Sequence, residues 1–350
     1  MVLVTNYKMK VAKVNIKDAQ KVKTELVKKG LIDTKYQAKK KGKFLFLAIT
    51  SNANLKNLEN VEIVDEKLEK KPVKETLTSL LKEKLSEDEL KLIPKTQEIV
   101  GDIMVLEIPE SLETKEKESL IAKTYLKLNK NVKTIVKKTA IHSGTFRTRG
   151  VKVIAGEKRK NTIHLENGVK IKLHLEKTYF SARLSNERLR IAKLVKKGES
   201  ILVMFSGSAP YPLVLGKHSE AKKILGVEIN PDAHKFGLEN VKLNKFKNII
   251  DLINGDVREI LPKMKEKFDR ILMPLPKTSE EFLDVALPRL KENGIIHLYA
   301  FLNEKDINSE AKRVEKLCEK LMYPVKILKK VKCGQHAPYT FRVCFDLRLN

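Results

Sequence analysis

The chain has 350 residues, with 71 Lys and Arg against 44 Asp and Glu, so its formal net charge is +27 at pH 7. Hydrophobic residues make up 42% of the sequence, which excludes a disordered or fibrous chain and predicts two or three folded domains. No apolar run reaches the roughly 18 residues of a membrane span, and the N-terminus lacks a signal-peptide core. We therefore expect a cytoplasmic protein without a membrane partner.

The three cysteines, Cys318, Cys333 and Cys344, are too few and too widely spaced for a disulfide framework or a CxxC zinc site. We expect three reduced thiols, mostly buried. Neither the cysteines nor the seven histidines show the spacing of a metal-ligand cluster, so no metal is expected.

The positive charge is concentrated in two regions. Residues 1–50 carry 13 Lys and Arg against 3 Asp and Glu, and residues 151–200 carry 13 against 5, whereas residues 201–300 are nearly neutral. Phosphate groups are bound mainly by Lys and Arg, so a polyanion that bridges two basic surfaces explains the pattern. The alternative is a lysine-rich chain whose charges are only solvated.

Residues 1–66 are predicted to form a small α+β module. Apolar positions at helical spacing predict a helix over residues 16–30, which Gly30 ends, and residues 44–49 read as a strand. A charged run closed by Pro72 is typical of a linker. The basic loop 39–43 fits a phosphate contact and a solvated turn about equally well.

Residues 73–180 are predicted to form a second α+β domain. Two helical stretches and four strand-like stretches occur in this region, and the last strand alternates apolar and polar residues as a half-buried antiparallel strand does. The helices are expected near 75–91 and 114–129, and the strands near 103–108, 132–136, 161–165 and 169–175.

From residue 181 the elements alternate between strand and helix, which predicts a doubly wound parallel sheet. Strands are expected over 201–205, 224–229, 249–253, 268–273 and 295–301, and helices over 186–197, 231–244, 279–291 and 305–322. A closing hairpin over 325–331 and 340–347 would add one antiparallel strand to the sheet. This ending is common in Rossmann-like class I methyltransferases that use S-adenosylmethionine.

The carboxyl ends of the first three strands carry groups suited to a nucleoside cofactor. Gly207 allows close approach, Glu228 is placed to accept bonds from ribose hydroxyls, and Asp256 to accept an adenine amino group. The loop is not GxGxxG, so a pyrophosphate cradle is poorly supported and S-adenosylmethionine fits better. Taken singly, each carboxylate could instead cap a helix.

Several short motifs distinguish this sequence. They are Gly101-Asp-Ile-Met-Val-Leu-Glu-Ile-Pro, Phe146-Arg-Thr-Arg, Tyr179-Phe-Ser-Ala-Arg-Leu-Ser-Asn-Glu-Arg, Met204-Phe-Ser-Gly, Glu228-Ile-Asn-Pro, Gly255-Asp-Val-Arg, Leu275-Pro-Lys and Ala337-Pro. In these motifs the whole chain resembles the archaeal and eukaryotic tRNA methyltransferases that act on N1 of guanine 37. The resemblance implies S-adenosylmethionine as cofactor, tRNA as partner, and tRNA contact by the N-terminal module.

The resemblance also implies roles for individual residues. The cofactor positions are Tyr179, Arg188, Phe205, Glu228, Ile229, Asp256 and Val257, to which we add Gly207, Met273 and Pro274. Arg183 and Glu187 fall at the catalytic pair, and Arg147 at an arginine that positions the target nucleotide.

The residue types of the catalytic pair suit the reaction. N1 of neutral guanine carries a proton, so methyl transfer needs a base, and negative charge then builds on O6. Glu187 would take the proton and Arg183 would stabilise the charge. From the residues alone, the favoured interpretation of Glu187 is an acid in a first helical turn with Arg183 as its surface partner.

The chain departs from the family pattern in three places. Val203 stands where the first strand usually ends in an acid, and the loop after Gly207 is poorer in glycine. Met273 and Pro274 stand where the family usually has Asn-Leu-Pro or Asn-Pro-Pro, so the asparagine side-chain amide that would hold the guanine edge is missing. A backbone carbonyl of Met273 or Pro274 is expected to make this contact instead. Some archaeal members also methylate a tricyclic wyosine precursor at the same nucleotide, and Pro274 could belong to such a roomier pocket.

Three other functions stay open from the sequence. A relative within the superfamily transfers the aminocarboxypropyl group of S-adenosylmethionine to a wyosine precursor, and its sequence would look similar. The other two are a non-catalytic RNA-binding protein and a nicotinamide-dependent oxidoreductase, which the phosphate-poor loop disfavours. Because one chain contains every part needed, we expect a monomer.

Overall fold

The computed structural model describes residues 8–51, 59–71, 75–94, 97–139, 146 and 148–350. Its contacts divide the chain into two compact units, Met1–Thr76 and Leu77–Asn350. None of the helices among the described residues is long and apolar enough to span a membrane.

The first unit is a four-stranded antiparallel sheet with one helix. Strand order is β2-β3-β1-β4, and Val22 and Leu26 of the helix are buried in its core. Gly30 follows the helix with φ +65°, a conformation that glycine adopts readily, and it ends the helix as predicted. The elements are β1 (Met9–Asn15), α1 (Ala19–Lys28), β2 (Lys39–Lys41), β3 (Phe44–Ala48) and β4 (Val61–Glu66). The basic loop of the sequence prediction is thus partly an exposed edge strand.

The second unit begins with a four-stranded sheet of order β5-β6-β7-β8, in which β6 and β7 are parallel and α4 connects them. Its elements are α2 (Leu77–Leu81), α3 (Glu87–Leu92), β5 (Glu98–Val100), β6 (Ile103–Leu106), α4 (Lys115–Leu128), β7 (Thr134–Lys138) and β8 (Val151–Gly156). The single helix predicted near 75–91 is wrong. Ser86 and Glu89 form a capping box that starts a new helix there.

A hairpin and the large sheet complete the chain. The hairpin is β9 (Asn161–Glu166) and β10 (Val169–His174). The remaining elements are α5 (Ser185–Leu194), β11 (Ser200–Met204), α6 (Pro210–His218), β12 (Lys223–Glu228), α7 (Pro231–Leu243), β13 (Ile250–Asn254), α8 (Val257–Ile260), β14 (Phe268–Met273), α9 (Leu283–Ala286), β15 (Leu290–Asn303), α10 (Ile307–Lys320), β16 (Val325–Ala337) and β17 (Thr340–Leu349).

The large sheet confirms the predicted Rossmann-like architecture. Its order is β13-β12-β11-β14-β15-β17-β16. Strands β11 to β15 pair in parallel, whereas β17 is antiparallel to both β15 and β16. Apolar side chains on the two faces of the sheet belong to two separate core clusters. This packing fixes the strand ends that carry the candidate site.

One predicted helix in this region is wrong. In place of a continuous helix over 279–291, the chain makes a 3-10 turn at Ser279–Phe282, the one-turn α9, and a second 3-10 turn at Leu287–Arg289. Pro288 lacks an amide hydrogen and its ring obstructs the preceding turn, so a long helix cannot continue through it.

The hairpin β9–β10 packs on the large sheet's helices. Asn240 of α7 accepts a bond from the backbone amide of Lys172 (2.7 Å) and donates to its carbonyl (2.8 Å), so α7 satisfies backbone groups of β10. Contacts therefore do not separate residues 77–180 from 181–350. The division into domains 1–66, 73–180 and 181–350 stays a prediction.

Candidate active site

A cavity of about 210 Å³ opens at the carboxyl ends of β11, β12 and β13. This is the edge at which open α/β sheets bind ligands. Nine of the ten predicted cofactor residues line it: Tyr179, Arg188, Phe205, Gly207, Glu228, Ile229, Asp256, Val257 and Pro274. Sequence positions spread over almost one hundred residues thus meet at one place.

The loop after β11 has an unusual backbone. Phe205, Gly207 and Ala209 all have positive φ, at 59°, 57° and 67°. For the two residues with a side chain this conformation is costly, and such costs are found where a loop is shaped for function. The Phe205 ring packs edge-on against Phe282 with centroids 5.0 Å apart. The loop therefore presents an aromatic wall to the cavity, while the amides of Ser206, Gly207 and Ala209 are bonded within the protein.

Glu228 holds this loop in place. Its carboxylate accepts bonds from the amide of Gly207 (2.6 Å) and from the amide of Asn230 (2.8 Å). Burial raises the pKa of Glu228, while the backbone amides act in the opposite direction. Each oxygen keeps a second acceptor position, so the carboxylate can also accept ligand hydroxyls.

Two further polar groups face the same cavity. Asp256 accepts a bond from the Arg258 amide (2.8 Å) and caps α8, so the capping interpretation is correct at this position. Asp256 also lines the cavity. The hydroxyl of Ser206 is buried and has no hydrogen-bond partner among the described residues. A buried hydroxyl without a partner is costly, which fits a polar ligand that supplies one.

Arg188 lines the cavity but its charged group is already engaged. The guanidinium makes two bonds of 2.5 Å to Glu166 at the end of β9 and a third to the Ser181 carbonyl, and the side chain is 2% exposed. It also lies over the rings of Phe180 and Tyr211. The guanidinium thus ties the hairpin β9–β10 to α5 and shapes the cavity wall, and a cofactor role for Arg188 stays a prediction.

The predicted catalytic pair is also arranged differently. Glu187 lies in the first turn of α5 and Arg183 in the preceding 3-10 turn, and the two form no ion pair. Glu187 is buried and makes two bonds to Arg190 (2.7 and 2.8 Å) instead. Tyr299 donates a third bond to it (2.7 Å). The partner of Glu187 is thus Arg190, which the sequence did not single out.

The Glu187 carboxylate lies within a buried polar network. Arg190 also binds Asp346, whose carboxylate accepts a bond from His297 (2.7 Å). His297 contacts Arg270 through its other nitrogen. At the cavity end, the Tyr211 hydroxyl donates to Tyr299 (3.0 Å), and Tyr211 lines the cavity. The spacing of these residues in the sequence could not reveal the network, because β15 and β17 bring them together from distant parts of the chain.

The same network corrects the expectation that no cysteine or histidine joins a possible ligand cluster. Atoms of His297, Cys344 and Asp346 that could bind a metal lie within 4.8 Å of one another. Arg190 and Arg270 bond directly to this cluster. Two neighbouring cations disfavour a bound metal ion, so the absence of a metal stays our prediction.

Two predicted residues lie elsewhere. Met273 does not line the cavity, since its side chain is buried and its carbonyl accepts bonds from Ser279 (2.7 Å) and Leu275 (2.8 Å). Of the two expected backbone acceptors, this leaves Pro274. Arg147 lies outside the described residues.

The sheet topology, and a cavity at its switch point that lacks a phosphate-binding GxGxxG loop, are those of a class I methyltransferase. Residues 162–327 match the TRM5/TYW2 methyltransferase domain, and residues 77–159 match the TYW2 N-terminal domain. Similarity to known proteins extends over nearly the whole chain, and the chain belongs to the TRM5/TYW2 methyltransferase family. This confirms the predicted family resemblance.

Three relatives define that similarity. Trm5b of Pyrococcus abyssi, a tRNA (guanine(37)-N(1))-methyltransferase, is 34% identical over 97% of this chain and 98% of its own, and its crystal structure superposes with a TM-score of 0.78. The complex of aTrm5 with tRNALeu superposes with a TM-score of 0.73, at 31% identity and coverage of 97% and 99%. The 4-demethylwyosine aminocarboxypropyltransferase of Pyrococcus horikoshii is 31% identical over 79% of this chain and 97% of its own.

Proposed function

We propose that this protein transfers a methyl group from S-adenosylmethionine to N1 of guanine 37 of tRNA. The observation that carries the proposal is the full-length similarity to a guanine-37 N1-methyltransferase, which includes the N-terminal unit. The localised positive charge of residues 1–50 and 151–200 agrees with a tRNA substrate.

The residues of the cavity suit S-adenosylmethionine. Glu228 would accept bonds from ribose hydroxyls, Asp256 from the adenine amino group, and Ser206 would find its missing partner there. The cofactor supplies an electrophilic methyl group on a sulfonium. No phosphate has to be held, which agrees with a loop that is not GxGxxG.

The chain's own contribution to the chemistry is to remove the N1 proton and stabilise charge on O6. Glu187 is a carboxylate that can only accept hydrogen bonds, and Arg183 supplies a positive charge four residues earlier in the sequence. Because Arg190 and Tyr299 already engage Glu187, it can take a proton only if one of these contacts is exchanged for the substrate.

Aminocarboxypropyl transfer is the second candidate, because a relative with this activity shares the fold. That relative matches 79% of this chain, whereas the guanine methyltransferase matches 97%. The longer match favours methyl transfer. Membership of the TRM5/TYW2 family also argues against the nicotinamide-dependent oxidoreductase considered above.

Reaction products decide between these activities. Purified protein is incubated with an unmodified tRNA transcript and with one that carries the wyosine precursor, each with cofactor labelled on the methyl or on the carboxyl carbon. We expect methyl label in 1-methylguanosine of the first transcript, detected by mass spectrometry of nucleosides. Carboxyl label in either tRNA would contradict the methyltransferase proposal, and a transcript with adenine at position 37 serves as the control.

Removal of residues 1–76 should weaken tRNA binding and leave cofactor binding intact. This segment is a compact unit with its own core, and its strand β2 presents three exposed lysines. Loss of phosphate contacts lowers both the affinity and its salt dependence. Binding of tRNA measured at several salt concentrations checks this, and an unchanged slope would assign the unit another role. The monomeric state and cytoplasmic location stay predictions.

A further inference from the structure

The turn end of the terminal hairpin carries aromatic and cationic side chains that the reaction does not use. The rings of Phe301 and His336 stack with centroids 4.1 Å apart and an interplanar angle of 24°. The guanidinium of Arg342 lies 5.0 Å from the centroid of Phe301. Two aromatic rings and a planar cation therefore lie side by side on β15, β16 and β17, with His336 exposed and Arg342 only 9% exposed.

This surface is joined to the wall of the candidate active site. Arg342 donates a hydrogen bond to the hydroxyl of Tyr179 (3.0 Å), and the amide of Phe301 donates to the carbonyl of Pro276 (2.9 Å). Both acceptors belong to residues that line the cavity. A molecule that extends out of the cavity on this side meets the stacked rings next.

The surroundings are cationic. Lys277 directly follows Pro276, whose carbonyl accepts the bond from the Phe301 amide. Burial lowers the pKa of His336, and the positive charges of Arg342, Lys277 and Arg183 lower it further. In the part of the chain that the structure describes, no carboxylate lies within 4.0 Å of any of these three cations, although ion pairs are frequent elsewhere on the surface. The buried Nε of Arg342 also has no partner there. An anion would meet charges that the protein does not neutralise.

The tip of the hairpin adds an exposed aromatic residue. Ala337 and Thr340 pair across it, so Pro338 and Tyr339 form the turn. Tyr339 is 74% exposed and has φ +58°, and its carbonyl accepts a bond from the Glu304 amide (3.0 Å). A large aromatic side chain in this conformation is costly, and it contributes nothing to a core. Its cost is explained if the ring contacts a ligand.

We propose that this surface, the hairpin platform of Phe301, His336, Tyr339 and Arg342, binds a nucleotide of single-stranded RNA next to the one in the cavity. The aromatic rings stack on its base, and Lys277 and Arg342 bind its phosphate. Single-stranded RNA is recognised by this combination of stacking and phosphate contacts. The inference deepens the proposed function and depends on a tRNA substrate.

Steady-state kinetics of the full-length protein test the platform. Tyr339→Ala and His336→Ala should each raise the KM for tRNA by about 5- to 100-fold, the range that loss of one stacked base gives. The dissociation constant of S-adenosylmethionine should not change. Tyr339→Phe keeps the ring and should retain the wild-type KM. Met322→Ala is the matched control, because Met322 is 84% exposed, also has positive φ, and precedes the opposite end of β16.

The phosphate contact has its own readout. Lys277→Ala should reduce the slope of log affinity for tRNA against log salt by about 0.7, whereas Lys316→Ala, which changes an exposed lysine of α10, should not. Circular dichroism verifies that each variant is folded. If the wild type does not methylate guanine 37, the proposed function fails. If it does, and folded Tyr339→Ala and His336→Ala keep the wild-type KM, the platform is refuted.

Discussion

Glu187→Gln is expected to slow methyl transfer by about 10²- to 10⁴-fold, the usual contribution of a positioned general base. Affinity for S-adenosylmethionine should stay at the wild-type level, because Glu187 does not line the cavity. The amide is nearly isosteric and can still accept the bond from Tyr299, but it cannot take the N1 proton of guanine. Single-turnover rates and cofactor titration measure the two effects separately.

Glu228→Gln is the matched control, since it makes the same chemical change at a carboxylate on the cavity wall. It should weaken cofactor binding by about 10- to 100-fold through the loss of charge-assisted bonds. Its effect on the methyl-transfer rate at saturating cofactor should be much smaller than that of Glu187→Gln. Wild-type turnover by Glu187→Gln would exclude Glu187 as the base and leave it as a structural partner of Arg190.

Arg188→Met should lower the free energy of unfolding by about 3–5 kcal/mol, because it leaves the Glu166 carboxylate buried without its partner. Both side chains of the pair are almost completely buried, so water cannot replace the lost contact. Urea unfolding followed by circular dichroism measures the change. Arg190→Met is a useful comparison, because Arg190 is more exposed and its loss leaves two carboxylates that have other hydrogen-bond partners.

The double variant Glu166→Leu with Arg188→Met separates the unpaired charge from the lost packing. It should recover much of the stability, since replacement of a buried ion pair by apolar groups is often neutral. One other outcome would favour the cofactor role that the sequence predicts for Arg188. If Arg188→Met unfolds like the wild type but loses cofactor affinity, its guanidinium serves the ligand rather than Glu166.

The regular part of the fold could be predicted from local pattern. Strand β14 is expected over 268–273 and is observed there, and the terminal hairpin is predicted correctly because its two strands are adjacent in the chain. The helix over 279–291 failed because an apolar pattern of helical period outweighed the effect of Pro288. The helix near 75–91 failed because the cap at Ser86 was not read as a start signal.

Gly207, Glu228 and Asp256 could be placed at one cavity for a related reason: parallel strands bring their carboxyl ends to one edge, so a residue that ends a strand has a known destination. The other cofactor positions on the cavity wall were implied by the family resemblance. The cofactor role of Arg188 stays a prediction, because its guanidinium binds Glu166. Its position was right, but sequence gives no information on which carboxylate a guanidinium will choose.

The sequence alone thus determined the class of fold, the strand ends that form the cavity and the family, because these depend on periodicity and on motifs within short stretches. Tertiary structure alone decided the partners of the charged groups. Arg190 lies 156 residues from Asp346, and Glu187 lies 112 from Tyr299. A buried charge binds whatever the packed sheet brings within about 3 Å, and that distance is set only when the strands have assembled.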